Sequence, residues 1–277
     1  MIRQTAPAKV NLVLHVGPRR ADGLHELCSL FASVELADSL TIEETAGGSD
    51  VVVCSGLEGP NIAEFALAAF RAAAPAAELP PLRVEIEKRI PVAAGLGGGS
   101  ADAAAVLRAA NERAGSPLDA PALRAVATRV GADVPSQVEP RHALVGGAGE
   151  EVERVSLPPM AILLVPAPEG LATAAVYAEA DRIGATRTRL DRDAVRELTT
   201  LPLDQLAGAL ENDLEAAAIS LLPSLEQTIA KVRDSGALAA LVTGSGPTVF
   251  GVFETVDEAR KPASLFPGSI ATTLRDP

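Results

Sequence analysis

The sequence predicts an α+β fold in two domains, each combining sheet strands with helices packed on one face. Three observations carry that prediction. Some stretches alternate with period two: Val10, Leu12, Leu14 and Val16 point one way, Lys9, Asn11, Val13 and His15 the other. Others repeat apolar residues at helical spacing, as Ile62, Phe65, Ala66 and Phe70 do. Pro158-Pro159 separates two such sets and divides the chain into 1–157 and 158–277.

Taken in order, residues 8–16 form the first strand, with Lys9 and Asn11 together on its outward face. From position alone Lys9 is either a solvated strand lysine or a site residue. A basic, turn-rich loop follows at 17–23, then strands at 24–36, 41–44 and 51–54, expected to pair antiparallel. Residues 61–74 read as a helix, with Asn61 as a candidate cap. A strand at 82–87, a glycine loop, a helix at 101–114 and another at 120–130 come next, the last stopped by Gly131. Strands near 142–146 and 150–156 close the first part. The second part opens on a buried strand at 161–165 and continues with helices near 173–183, 191–198, 203–218 and 223–235. Strands at 237–242 and 249–253 flank a glycine turn; a helix near 257–264 and a strand near 269–273 finish the chain.

Composition narrows the function. A net charge of −12 opposes a general nucleic-acid or membrane-surface binder. Cys28 and Cys54 form neither a CxxC pair nor a His/Cys cluster, so buried thiols are expected rather than disulfides or structural zinc. The start of the sequence has no apolar signal-peptide core, and no stretch reaches the length of a membrane span. A soluble, cytoplasmic protein is the expectation.

The chemistry concentrates at Pro91-Val92-Ala93-Ala94-Gly95-Leu96-Gly97-Gly98-Gly99-Ser100-Ala101-Asp102, between a strand and an alanine-rich helix. Such a place collects unpaired N–H groups and the positive end of the helix dipole, and glycine leaves room for an anion. Ser100 is the expected N-cap. The loop ends in Gly-Ser-Ala where a P-loop has Gly-Lys-Ser/Thr, and it fits a dinucleotide fingerprint only loosely. It is therefore either a tight turn or a phosphate cradle of another kind. Thr243-Gly244-Ser245-Gly246-Pro247-Thr248, between two strands, is either a hairpin or a second phosphate-facing turn.

Three separated segments, Ala6-Pro7-Ala8-Lys9-Val10-Asn11-Leu12, the 91–103 loop and the 243–248 turn, together resemble the three motifs of the GHMP small-molecule kinases. Arg19 to Glu26, Lys88 to Pro91, Gly131 to Pro135, Leu171 to Tyr177 and Glu211 to Glu215 are similar to one branch, which acts on a cytidine-diphosphate-linked polyol. The resemblance runs from about residue 3 to residue 255. It implies a ribosomal-S5-like N-terminal domain and a ferredoxin-like C-terminal α/β sandwich. It also implies ATP-dependent phosphorylation of the 2-hydroxyl of 4-diphosphocytidyl-2-C-methyl-D-erythritol in the non-mevalonate route to isoprenoid precursors. Another small alcohol, such as homoserine or a sugar, is the alternative.

Under that resemblance Asp133 would be the base and Lys9 its electrostatic partner, with Asn11 beside the substrate. Pro91, Ala93, Ala94, Gly95, Leu96, Gly97, Gly98, Gly99 and Ser100 would hold the ATP phosphates, and Asn61 and Lys88 match adenosine-contacting positions. Asp102, expected in the first helical turn, would either favour the helix dipole or approach the metal through water. Mg2+ follows from the reaction class alone, and no metal ligand is assigned. His25, Thr173 and Tyr177 would take the cytidine end. The branch usually has tyrosine before that histidine. Leu24 keeps apolar contact but lacks a ring, which predicts weaker cytidine binding. A small-molecule substrate, no nucleic-acid or membrane partner, and a monomer or homodimer complete the expectation.

Overall fold

Two long strands dominate the first part of the chain in a computed structural model that describes residues 1–57 and 59–275. β1 (Ile2–Arg19) and β2 (His25–Glu44) are joined by a turn in which Gly23 adopts φ +87° and Asp22 Oδ1 accepts the Leu24 N–H. The sequence suggests separate strands at 24–36 and 41–44. They are one strand, because Asp38, which breaks the apolar run, is fully buried and hydrogen-bonded rather than turned outward.

Packing groups the residues into two compact units that are discontinuous in sequence. The first comprises Met1–Ala8, Leu36–Val92 and Gly97–Pro140; the second comprises Lys9–Glu35, Ala93–Leu96 and Arg141–Pro277. β1 and β2 each contribute residues to both units.

In the first unit β3 (Val51–Cys54) pairs parallel with β4 (Leu82–Glu87), and β4 pairs antiparallel with the second half of β2, Thr41 opposite Glu85. The sheet is therefore mixed rather than purely antiparallel. Leu82, Val84 and Ile86 are buried while Arg83, Glu85 and Glu87 are exposed, so one face takes the helices. These are α1 (Ile62–Ala73), α2 (Gly98–Arg113), α3 (Ala120–Thr128) and α4 (Val134–Gln137). Phe70 of α1 and Leu107 of α2 enter one core with Leu40 and Val84. Full burial of a Phe such as Phe70 is worth about 1.5–3 kcal/mol. Asn61 caps α1, its Oδ1 accepting the Ala63 N–H at 2.9 Å, and Asp119 caps α3 likewise.

In the second unit the first half of β2 pairs antiparallel with β5 (Ala143–Gly147), and β5 pairs with β6 (Glu151–Arg154). A four-stranded antiparallel sheet takes the order β11-β7-β10-β9: β7 (Ala161–Val165), β9 (Ala239–Val242), β10 (Val249–Phe253) and β11 (Ile270–Thr273). α5 (Thr173–Ile183), α8 (Glu215–Leu221), α9 (Ser224–Asp234) and α10 (Val256–Arg260) pack with it, with a 3-10 turn at Lys261–Leu265, while α6 (Arg192–Leu198) lies against β5 and α7 (Leu203–Gly208) follows it in the chain. Leu163, Val176, Leu225, Val232 and Phe253 share the core of this sheet.

The helix expected at 203–218 is not continuous. α7 ends at Gly208, β8 (Glu211–Asn212) pairs parallel with β1, and α8 starts at Glu215. Side-chain hydrogen bonds compensate for the broken helix. Asn212 Nδ2 donates to Val242 O and Gly244 O, both at 2.8 Å, and Asp213 Oδ2 accepts the Val16 N–H at 2.8 Å.

Candidate active site

Lys9 and Asn11 stand on β1, on the strand face that alternation predicts to be outward, yet they are only 4% and 3% exposed. That face is covered. Lys9 Nζ donates to Asn11 Oδ1 at 2.7 Å and lies 4.8 Å from the centre of the Phe31 ring, within cation–π range. Asn11 Nδ2 donates to Ser29 Oγ at 2.9 Å, and Ser29 Oγ donates to Val13 O at 2.6 Å. The Asn11 N–H is received by Thr243 Oγ1 at 2.9 Å. A buried lysine ammonium held by a polar chain of this kind is placed, not solvated.

Both glycine segments meet this row. The Lys9 N–H donates to Leu96 O at 3.0 Å. Gly95 adopts φ +74°, and a Cβ there would fall 2.8 Å from Gly246 O and from Thr243 O. At Gly244 a Cβ would lie 3.3 Å from Asn11 Oδ1 and 3.5 Å from Lys9 Nζ. The 243–248 turn is thus more than a hairpin: it packs backbone to backbone on residue 95, and Asn212 holds it from behind. Ala93, at φ +55°, takes a left-handed conformation that L-residues rarely adopt. Pro91 is half-buried and Ala94 buried.

The downstream part of the loop belongs to the first unit. α2 begins at Gly98, three residues earlier than expected, and its N-cap is Gly97 in the left-handed region, with no side-chain cap bond. Ser100 is therefore inside the first turn and is not the cap. Asp102 lies past that turn and is 2% exposed, so interaction with the helix dipole does not account for it. Its Oδ2 accepts from Lys88 Nζ at 2.7 Å, and Asp38 Oδ2 accepts from the same ammonium at 2.5 Å. Asp38 Oδ1 accepts the N–H groups of Arg89 and Ile90 at 2.6 and 2.8 Å. One lysine and two carboxylates thereby tie β2, the segment after β4, and α2 together. Burial pushes the Asp102 carboxyl up to about 7, against the pull of Lys88, and Asp38 adds to the rise. Burial acts to lower the Lys88 ammonium, but Asp102 and Asp38 outweigh it and raise it. Asp102 Oδ1 has no hydrogen-bond partner.

Ile62, next to the Asn61 cap, lies 3.5 Å from the Cβ position of Gly99 and 3.6 Å from that of Gly131. The start of α1, the start of α2 and the loop carrying Asp133 therefore converge in the first unit. Asp133 is half-buried at the N-cap position of α4. Its side chain makes no cap bond, and its carbonyl accepts from Ser136 Oγ at 2.8 Å, so the turn is closed without the carboxylate.

The cytidine candidates gather in the second unit. His25 is 8% exposed and its ring centre is 5.4 Å from that of Tyr177, tilted by 34°. Thr173 Oγ1 lies 3.0 Å from Ser245 Oγ, which brings the start of α5 to the second glycine turn. Leu24 is half exposed beside His25 in sequence. Sequence reasoning missed Asp38 and Asp181, and named Asn212 and Ser245 only as members of matching segments. Helical spacing from Tyr177 could have found Asp181; nothing local could have found Asp38, since its partners are 50 and 51 residues away.

The family model for the GHMP kinases N terminal domain matches residues 61–139, and that for the GHMP kinases C terminal matches residues 191–263. The chain belongs to the GHMP kinases. As a GHMP kinase it is an enzyme that transfers a phosphoryl group. It is similar to a 4-diphosphocytidyl-2-C-methyl-D-erythritol kinase from Anaeromyxobacter sp. (strain K), 41% identical over 95% of this chain and 84% of that one. A protein of the same name from Geobacter sulfurreducens is 40% identical over 94% of this chain and 92% of that one. A crystal structure of 4-(cytidine 5'-diphospho)-2C-methyl-D-erythritol kinase covers both chains completely at 35% identity and a TM-score of 0.84. Homoserine kinase from Cytophaga hutchinsonii, at 16% identity and a TM-score of 0.65 over 99% of this GHMP kinase and 94% of that chain, shares the fold alone. Among the described residues no helix is long and apolar enough to cross a membrane, and no three His, Cys, Asp or Glu side chains gather as a metal site.

Proposed function

We propose that this GHMP kinase transfers the γ-phosphoryl group of ATP to the 2-hydroxyl of 4-diphosphocytidyl-2-C-methyl-D-erythritol, a step towards isoprenoid precursors. What carries the reading is the 41% identity to a relative of that activity over nearly the whole chain. The pairing of His25 with Tyr177 supports it, since a buried imidazole beside the chain's one tyrosine suits a planar base.

Phosphoryl transfer asks the protein for alignment, charge stabilisation and an activated hydroxyl. Asp133 takes the proton of the attacking 2-hydroxyl; its carboxylate is not used to cap α4. The substrate oxygen bonds to the γ-phosphorus as the bond to the β–γ bridging oxygen breaks, and ADP leaves. Lys9 supplies positive charge to the transferred group, and Asn11, bonded to Lys9 and Ser29, fixes its direction. Residues 91–100 cradle the phosphates. The fit rests on two features: α2 starts without a side-chain cap, leaving its first N–H groups for an anion, and a Cβ at Gly99 would meet only Ile62. Asn61 and Lys88 serve the nucleoside end. The Lys88 ammonium is committed to two carboxylates, so it acts through the loop it anchors. Mg2+ commonly keeps several waters and binds through phosphates and one or two carboxylates. Here it is assigned to the nucleotide's own oxygens, where it would neutralise phosphate charge.

An ADP-release assay with Mg-ATP and a panel of alcohols tests the substrate. Turnover of the diphosphocytidyl compound is expected; turnover of homoserine or a sugar in its place overturns the reading. Asp133→Asn is expected to lower kcat by about 10²–10⁴-fold, the usual range for a general base, with ATP affinity unchanged by calorimetry. Near-normal turnover in that variant removes Asp133 as the base.

A further inference from the structure

Thr173, Tyr177 and Asp181 are spaced four residues apart along α5, so they fall in one line on one face of the helix. The first two are expected from the sequence to meet the substrate; Asp181 is not. Its carboxylate faces the same histidine as Tyr177 does. His25 Nδ1 lies 3.0 Å from Gly17 O, and because a carbonyl only accepts, Nδ1 carries the hydrogen. At the other end of the ring, Nε2 lies 3.4 Å from Asp181 Oδ2, and because a carboxylate also only accepts, this contact holds the ring as an ion pair in the imidazolium form, with a hydrogen on both nitrogens. The imidazole is thus held at both nitrogens, by the β1 backbone on one side and by α5 on the other.

The helix itself does not call for an aspartate here. Asp181 sits in the last turn of α5, where a carboxylate opposes the helix dipole. The adjacent Arg182 does not answer it: its Nε and Nη2 both donate to Glu179, each at 2.6 Å. A histidine ring, by contrast, needs a second tether, because rotation about its Cβ–Cγ bond is broad and weakly restrained. With Nδ1 alone bonded to Gly17 O, the ring swings about that contact.

We propose that Asp181 is a positioning residue for pyrimidine recognition, holding the His25 imidazole through Nε2 in the orientation that meets the base beside Tyr177. The proposal rests on the reading that His25 and Tyr177 take the cytidine end of the substrate. Asp181 acts through His25 and not on the reacting atoms, so its removal weakens pyrimidine binding and leaves the chemistry alone.

The test is calorimetric titration of the full chain with cytidine 5'-diphosphate and, separately, with ATP. Asp181→Ala is expected to raise the Kd for cytidine diphosphate about two- to fivefold, the effect of losing one partly exposed ion-pair contact, with the Kd for ATP unchanged. His25→Gln should weaken the same ligand, and adding Asp181→Ala to it should cost nothing more, since the two residues act as one unit. Asp181→Asn keeps an oxygen near Nε2 and should fall between wild type and Asp181→Ala. In turnover, the KM for the cytidylyl alcohol rises while kcat at saturation stays within about twofold. An unchanged Kd in Asp181→Ala, or losses at 25 and 181 that add in full, overturns the proposal. Asp181 is 41% exposed in its side chain, so these variants keep the fold. The two readings fail separately. Wild-type protein that binds cytidine diphosphate but phosphorylates only another alcohol ends the substrate assignment and leaves the Asp181 test standing. Wild-type turnover of the cytidylyl alcohol with Asp181→Ala indifferent ends the role of Asp181 alone. Wild-type protein that does not bind cytidine diphosphate ends both.

Discussion

At Gly95 a methyl group would lie 2.8 Å from two backbone carbonyl oxygens, whereas at Gly99 it would meet only an Ile62 methyl at 3.5 Å. The two glycines belong to one loop and serve opposite needs. Gly95 is required by the protein itself, because another turn occupies the space a side chain would take. Gly99 borders open space beside the uncapped start of α2. The ends of the loop are also anchored differently. The 95 end is pressed on the backbone of the 243–246 turn. The 98–102 end is fixed by Lys88, Asp38 and Asp102, three charges that come from distant parts of the sequence. A run of glycines therefore mixes residues needed for packing with residues needed for access, and only the surroundings separate them.

Breaking the ionic anchor should have the largest effect. Lys88→Met leaves two buried carboxylates without their cation, which costs about 3–5 kcal/mol; a urea midpoint equal to wild type would show that the cluster does not hold the loop. Gly95→Ala comes next. Left-handed backbone and steric overlap together should destabilise by about 2–4 kcal/mol, read as a fall in Tm, and an unchanged Tm would mean that the two turns separate at little cost. The ionic anchor should also leave a pH signature. The Asp102 carboxyl is raised from 3.8 to about 7 in the folded protein, so the folded state holds its proton longer than the unfolded state does. Stability from this group is complete at low pH and is lost as pH rises through that window. Between pH 5 and pH 7 wild type should lose about 2 kcal/mol relative to Asp102→Asn, and parallel urea curves across that range would contradict the shift. Gly99→Ala should change stability least, by less than about 0.5 kcal/mol, yet weaken ATP binding. If ATP affinity survives, the open side of the loop is not where phosphate sits.

Much of the architecture was legible. β7, β10, α5 and β4 match the segments read from periodicity, since each keeps its pattern without interruption. The Asn61 cap was legible too, because capping is local chemistry. The 203–218 segment was misread for a physical reason: Leu206, Ala207, Leu214, Ala217 and Ala218 keep helical spacing and are all buried, but Asn212 and Asp213 bind distant backbone and pull the middle onto β1. Alternation located Lys9 and Asn11 on one face but could not tell that Ser29, Phe31 and Thr243 would cover it. The family motifs pointed to the candidate residues, and geometry then separated Lys88, bound between carboxylates, from Lys9, bound to an amide.

The pairing of β1 carries a consequence for how such a chain tolerates change in length. Lys9 donates its N–H to Leu96 while, four residues on, Val13 lies opposite Glu211. Side chains alternate with period two, so removing one residue between these points would turn either the lysine or the β8 pairing to the wrong face. The strand works as a ruler graduated in single residues. Deletions and insertions should abolish activity between Lys9 and Val13 and be better tolerated in the exposed turn around Asp22 and Gly23.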